Sequence, residues 1–149
     1  MKKIRVGLIG FGTVGKGLAK ALHAQKERLE QRTGTTFELA TVADIALETL
    51  PDEFSNVSLT KDANEIFTDP DIDIVVELIG GMEPAKTFLL NAIKNGKHVV
   101  TANKALLASH GAEMFTAAYA KGEDIYYEAS VAGAIPIIRP MRDSLAGDF

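Results

Sequence analysis

Three glycines in the order Gly10-Phe11-Gly12-Thr13-Val14-Gly15 directly follow the apolar run Ile4-Arg5-Val6-Gly7-Leu8-Ile9. Each glycine has a physical reason to be there: Gly10 permits a tight turn, Gly12 lets backbone approach a pyrophosphate, and Gly15 lets a helix pack closely on the strand. If a strand precedes and a helix follows, the helix N-terminus offers free N–H groups and partial positive charge to phosphates. That chemistry is dinucleotide binding, with Phe11, Thr13 and Val14 completing the turn. Asp44 ends the next apolar segment, where an acidic residue accepts hydrogen bonds from the adenosine ribose; by type alone it also fits a solvated loop aspartate. With no arginine beside it, Asp44 favours NAD over NADP, although Lys61 lies where it can reach a 2′-phosphate. Lys104 follows Thr101-Ala102-Asn103, just beyond another apolar run. A lysine at such a rim can protonate a carbonyl oxygen or stabilise the developing alkoxide during hydride transfer. By type and place alone, however, Lys104 is a solvated lysine at the start of a loop.

The elements that must position these groups follow from hydrophobic periodicity. Short apolar runs predict strands over 4–9, 37–44, 72–79, 98–101 and 125–128, with a weaker one at 57–59. Apolar residues at Val14, Leu18, Ala21, Leu22 and Leu29 predict one helix that continues through the charged stretch 26–32 and ends at Thr33-Gly34-Thr35. Further helices are predicted over 62–67, 83–95 and 111–121, with Gly96 and Gly122 as C-terminal stops. Alternation of strands and helices predicts an α/β Rossmann-type, doubly wound, mostly parallel sheet covered on both faces. Ligands of such sheets lie beyond the carboxyl ends of the strands, which places the chemistry after residues 9, 44, 79, 102 and 128. Gly80 is therefore a further cofactor-groove residue, and Glu77 is a buried strand carboxylate that can be structural or can position Gly80-Gly81. Thr101 and Ala102 are expected to line the groove through backbone groups, and Asn103 to orient nicotinamide or substrate. His110 is expected in the loop before the 111–121 helix, and one of Tyr126 and Tyr127 in the core.

The 149 residues fit one domain with its own core, at 46% apolar and 24% charged residues. A net charge of −4 argues against a nucleic-acid surface, and no apolar run approaches the length of a bilayer span. The absence of cysteine excludes disulfides and thiolate chemistry and fits a reducing, cytoplasmic setting. The three histidines are scattered and match no metal-ligand spacing. Residues 137–149 read as the start of a helical connection to a further domain.

Four segments, the glycine turn, Glu77-Leu78-Ile79-Gly80-Gly81, Thr101-Ala102-Asn103-Lys104-Ala105-Leu106 and Glu128-Ala129-Ser130-Val131-Ala132-Gly133-Ala134-Ile135-Pro136, together resemble homoserine dehydrogenase. The resemblance runs in order along nearly the whole chain and covers the family's nucleotide-binding domain. It implies an oxidoreductase that interconverts aspartate 4-semialdehyde and homoserine with NAD or NADP, in threonine, methionine and isoleucine biosynthesis. It also implies a homo-oligomeric parent protein whose substrate and dimerisation domain would begin just after Phe149. Lys104 matches an active-site lysine of the family. Glu128, with the carbonyls of Val131, Gly133 and Ile135, matches a sodium site; by type and place alone Glu128 is a hydrogen-bonded strand-end carboxylate. Ala134 stands where relatives carry glycine and would be strained at positive φ. Two other readings remain: a non-catalytic NAD(H)-binding regulatory module, and the cofactor domain of another amino-acid or sugar dehydrogenase. The Lys104 and Glu128 segments argue against both.

Overall fold

The computed structural model describes residues 2–144. Six strands, β1 (Lys2–Ile9), β2 (Thr35–Ala43), β3 (Ser58–Thr60), β4 (Ile74–Glu77), β5 (His98–Thr101) and β6 (Ile125–Tyr126), form one sheet in the order β3-β2-β1-β4-β5-β6. Every pairing is parallel, so the expected mostly parallel sheet is parallel throughout. The direction of winding reverses between β1 and β4. A crevice opens at that switch point, beyond the strands' carboxyl ends.

Side chains alternate across this sheet, and each face carries its own core. Val75 and Val99 point to one face, where they join Ile66 and Phe67, Leu89 and Ile93, and Leu106 and Met114. Those pairs come from α3 (Asn64–Thr68), α4 (Ala85–Lys94) and α5 (Lys104–Lys121) respectively. On the opposite face Val6, Leu8, Val42 and Val76 pack with Phe11, with Ala19 of α1 (Thr13–Ala24), and with Phe54 from a short 3₁₀ turn. Gly7 in β1 has a packing reason absent from the motif: a Cβ there would come within 2.4 Å of Ile66 Cγ2, so glycine lets α3 press onto the strand.

Three element expectations change. The first helix is broken at Gln25, which ends α1 through an N–H bond to the Ala21 carbonyl and starts α2 (Lys26–Thr33) with its own carbonyl. No apolar residue lies between Ala24 and Leu29 to hold a continuous face to the sheet, and the charged stretch forms a separate helix with no buried residue; Gly34 then stops α2 in the left-handed conformation. The helix expected over 111–121 begins seven residues earlier, at Lys104, which places His110 within α5 rather than in a loop. The last strand ends at Tyr126, and Glu128–Ser130 is a 3₁₀ turn. Tyr126 is 48% exposed on this edge strand, while Tyr127 packs edge-on against Phe115, so neither lies in the deep core. Lys97 is a buried cation that the sequence pattern did not flag; its Nζ donates to the carbonyls of Asp69 and Ile72 and ties two loops together at the far end of the sheet.

A helix, α6 (Ile138–Asp143), occupies part of the expected 137–149 connection, whose residues 145–149 lie outside the described residues. Among the described residues, no helix is long and apolar enough to cross a membrane.

Candidate functional site

The glycine turn leaves β1 and opens α1, as the motif requires. Gly10 sits at φ +97, a conformation that only glycine adopts freely, and a Cβ there would meet Ile79 Cγ2 at 2.7 Å. Gly15 is needed for a sharper reason than helix-on-strand packing: its Cβ would lie 2.0 Å from the Gly10 carbonyl oxygen, inside the turn itself. Gly12 is the opposite case, because a Cβ there would meet nothing within 4 Å. The space it leaves faces the N-terminus of α1, which carries no side-chain cap and no acidic residue in its first turn. Among the described residues, the N–H groups of Thr13, Val14 and Gly15 carry no hydrogen bond, and the first helical bond runs from Lys16 N–H to the Gly12 carbonyl. An uncapped helix start behind an open glycine suits an anion.

Asp44, the residue after β2, braces this turn. One carboxylate oxygen accepts the Phe11 N–H at 2.8 Å and the other the Ala46 N–H at 2.9 Å. Partial burial pushes its carboxyl up, but N–H groups of Phe11, Ala46 and Leu47 and the charge of Lys16 outweigh that and hold it below the usual aspartate value. Because the folded carboxyl is the stronger acid, its contribution is complete above about pH 4 and is lost as pH falls through the folded value. Asp44→Asn is therefore expected to lower stability at neutral pH and to flatten the acid limb of a stability-against-pH curve. An acid limb of unchanged slope would show that the charge does not hold the turn. Each oxygen retains capacity for a ribose hydroxyl.

On the other side of the turn, a closed ring of hydrogen bonds shapes the rim. Glu77 is fully buried at the end of β4. Its Oε1 accepts N–H groups from Ile79 (2.9 Å) and Gly80 (3.0 Å), and its Oε2 accepts the Thr101 hydroxyl (2.7 Å). The Thr101 hydroxyl in turn accepts the Asn103 N–H at 3.0 Å. Asn103 caps α5 by accepting the Leu106 N–H, and its Nδ2 donates back to the Gly81 carbonyl. Glu77 is thus both structural and the residue that positions Gly80-Gly81. Thr101 is fully buried and presents no surface to the groove; its carbonyl accepts the hydroxyl of Ser130 at 2.9 Å, a buried brace that the sequence pattern did not single out. The signal for Glu77 was legible as a carboxylate inside the apolar run Ile74-Val75-Val76-Glu77-Leu78.

Lys104 is the first residue of the helix this ring caps, and not a loop residue. A cation at the positive end of an 18-residue helix opposes the helix dipole, which disfavours it by about 0.3–1 kcal/mol. Among the described residues its ammonium makes no ion pair. It lines a cleft of about 320 Å³ with Val14, Ile79, Gly80 and Asn103. A second cleft, of about 270 Å³, is lined by Asp44, Ile45, Lys61 and Phe88, and the two share Ile79 and Gly80. The two clefts thus meet at Ile79 and Gly80, beyond the carboxyl end of β4. Asp44 lines one of them, Val14, Asn103 and Lys104 line the other, and Gly80 lines both.

Glu128 lies apart from these clefts. Its carboxylate oxygens accept the N–H groups of Ile138 (3.0 Å) and Arg139 (3.1 Å) at the start of α6. It is a hydrogen-bonded carboxylate, joined to a helix rather than to a strand end. The positive φ falls on Ala132 (+57) and Gly133 (+58), and Ala134 is spared. Among the described residues, no group of three or more His, Asp or Glu side chains could hold a metal ion. The carbonyls of Val131, Gly133 and Ile135 accept no hydrogen bond among those residues. Carboxylate and carbonyl oxygens are the hard donors that alkali cations take, but both oxygens of Glu128 are already engaged by α6.

Residues 10–128 match the family model described as "Homoserine dehydrogenase, NAD binding domain". The chain is 43% identical to homoserine dehydrogenase of Bacillus subtilis over 99% of its own length, and 44% identical to that of Pseudomonas aeruginosa over 99%. It spans 34% of the length of each. The crystal structure of a homoserine dehydrogenase from Thiobacillus denitrificans superimposes with a TM-score of 0.90 at 47% identity, covering 97% of this chain and 34% of that one.

Proposed function

The chain belongs to the homoserine dehydrogenase family as its NAD-binding domain, and from that premise we propose that it holds the nicotinamide dinucleotide for an enzyme interconverting aspartate 4-semialdehyde and homoserine. The observation that carries the reading is Lys104, an ion-pair-free cation among the described residues, placed against the helix dipole at the rim of the cleft beside Gly80.

The residues present fit the cofactor. Gly12 and the free N–H groups of Thr13, Val14 and Gly15 receive the pyrophosphate. Phe11 contributes through the brace to Asp44 rather than through its own N–H, which is already donated. Asp44 accepts the ribose hydroxyls, and Gly80 and Asn103 form the wall shared with the nicotinamide side. Thr101 acts from beneath, by setting Asn103. A reduced nicotinamide bound here supplies the hydride. Lys104 donates a proton to the substrate carbonyl oxygen, or stabilises the alkoxide, while the ring from Glu77 to Asn103 holds the start of α5 in place. Glu128 and the carbonyls of Val131, Gly133 and Ile135 hold a sodium ion that shapes the domain junction. The whole protein is a cytoplasmic homo-oligomer, residues 137–149 lead into its substrate domain, and its reaction serves threonine, methionine and isoleucine biosynthesis.

Titration of the chain with NADH and NADPH tests the first step. Weak but measurable binding is expected, with negligible homoserine oxidation by these 149 residues alone. Undetectable binding of both cofactors would count against a preformed dinucleotide site. Turnover by the chain alone would show that Lys104 needs no second domain.

A further inference from the structure

Building on the dinucleotide reading, we infer that Glu48 is the residue through which this domain discriminates between NAD and NADP, by occupying Lys61, a cation of the Asp44 cleft placed to receive a 2′-phosphate. Asp44 N–H donates to the Thr60 carbonyl at 3.0 Å, which carries the β2–β3 pairing one step past the strands and brings Lys61 alongside Asp44 and Ile45. Among the described residues, Lys61 is the only cationic one lining the cleft of Asp44, the adenosine side of the crevice in this reading. Its ammonium, however, is paired with Glu48 Oε1. Ile45, which follows Asp44 at the rim, is 83% exposed and brings no charge.

The consequence is electrostatic. A phosphate on the ribose 2′-oxygen would sit by the carboxylate that accepts the ribose hydroxyls, Asp44, which is held below the usual aspartate range and is therefore ionised near neutrality. Without Glu48, Lys61 would offset that charge and make a charge-assisted bond to the phosphate. With Glu48, the ammonium is already paired, and a phosphate must displace that carboxylate to reach it. The pair is exposed, at 57% and 79% for the two side chains, so the barrier it sets is modest and salt-sensitive. Glu48 touches neither the phosphate turn nor Lys104, so NAD binding does not depend on it.

The test is a fluorescence titration of the chain with NADH and NADPH, for the unaltered protein, Glu48→Gln, Lys61→Met and the double variant. Glu48→Gln is expected to strengthen NADPH binding roughly three- to tenfold and to leave NADH within about twofold, with the gain shrinking as salt rises. Lys61→Met is expected to weaken NADPH and to abolish most of the gain from Glu48→Gln, because the two residues act through one contact. An unchanged NADPH-to-NADH ratio in Glu48→Gln, with NADH binding intact, overturns the assignment of Glu48. Equal gains for both cofactors overturn it as well, since a general loss of negative charge would do that. Failure of the unaltered protein to bind either cofactor overturns the dinucleotide reading and this inference with it.

Discussion

Lys104→Ala in the full-length enzyme is expected to lower kcat by about 10²- to 10⁴-fold, the range for removing a positioned general acid. The same substitution should not destabilise the fold. Lys104 is exposed, makes no ion pair among the described residues, and sits at the N-terminal end of α5, where a positive charge opposes the helix dipole. Alanine is also the better helix former, so the variant should be equally or slightly more stable, by up to about 1 kcal/mol. Loss of turnover together with unchanged or raised Tm would distinguish a reacting lysine from a structural one. The loss should fall on kcat more than on the Kd for NADH, because Lys104 lines the cleft proposed for the nicotinamide and is not part of the phosphate turn. Near-normal activity in Lys104→Ala would remove it from the mechanism. A fall in Tm that tracks the fall in activity would make it a packing residue.

The second large effect separates two glycines of one motif. Gly15→Ala must place a Cβ 2.0 Å from the Gly10 carbonyl oxygen and 3.0 Å from its carbon, and both are backbone atoms that cannot rotate away. The turn has to open, at a cost at or above the roughly 1–3 kcal/mol of ordinary overpacking, and cofactor binding is lost with it. Gly12→Ala places its Cβ in open space at φ −69, a value that alanine adopts readily. Its stability should stay within about 0.5 kcal/mol of the unaltered protein. Its affinity for NADH should nevertheless fall at least about tenfold, or 1.4 kcal/mol, since the methyl occupies the approach to the pyrophosphate. Thermal melts and NADH titration of both variants read the contrast directly. Unimpaired NADH binding by Gly12→Ala would place the pyrophosphate elsewhere.

Much of the fold was legible because its signals are local. A buried parallel strand is an apolar run, and a helix end is a glycine that can enter the left-handed region, as at Gly34, Gly96 and Gly122. The glycine turn was legible for the same reason: its strand, turn and helix are contiguous in sequence. Where local signals were weak, the reading slipped. The start of α5 was placed seven residues late because Lys104-Ala105-Leu106-Leu107 follows the strand after only Ala102 and Asn103, and its cap is an asparagine whose role depends on Leu106 N–H and the Gly81 carbonyl. The break at Gln25 was missed because charge continuity suggested one helix.

By itself the sequence determined the architecture and the strand-turn-helix setting of the glycine turn, since residue type and spacing within a few turns of chain carry that information; Lys104 stood out only through the family resemblance of its segment. The tertiary structure decided how those parts depend on one another. Asp44 is joined to Phe11 across 33 residues, Thr101 to Glu77 across 24, and Ser130 to Thr101 across 29. Such contacts leave no periodic trace in the chain, because a hydrogen bond between distant residues is set by the register of the strands that carry them. For the same reason only the folded chain showed that Lys61 is already paired with Glu48, and that Gly12, alone among the three glycines of the turn, has open space where a side chain would stand.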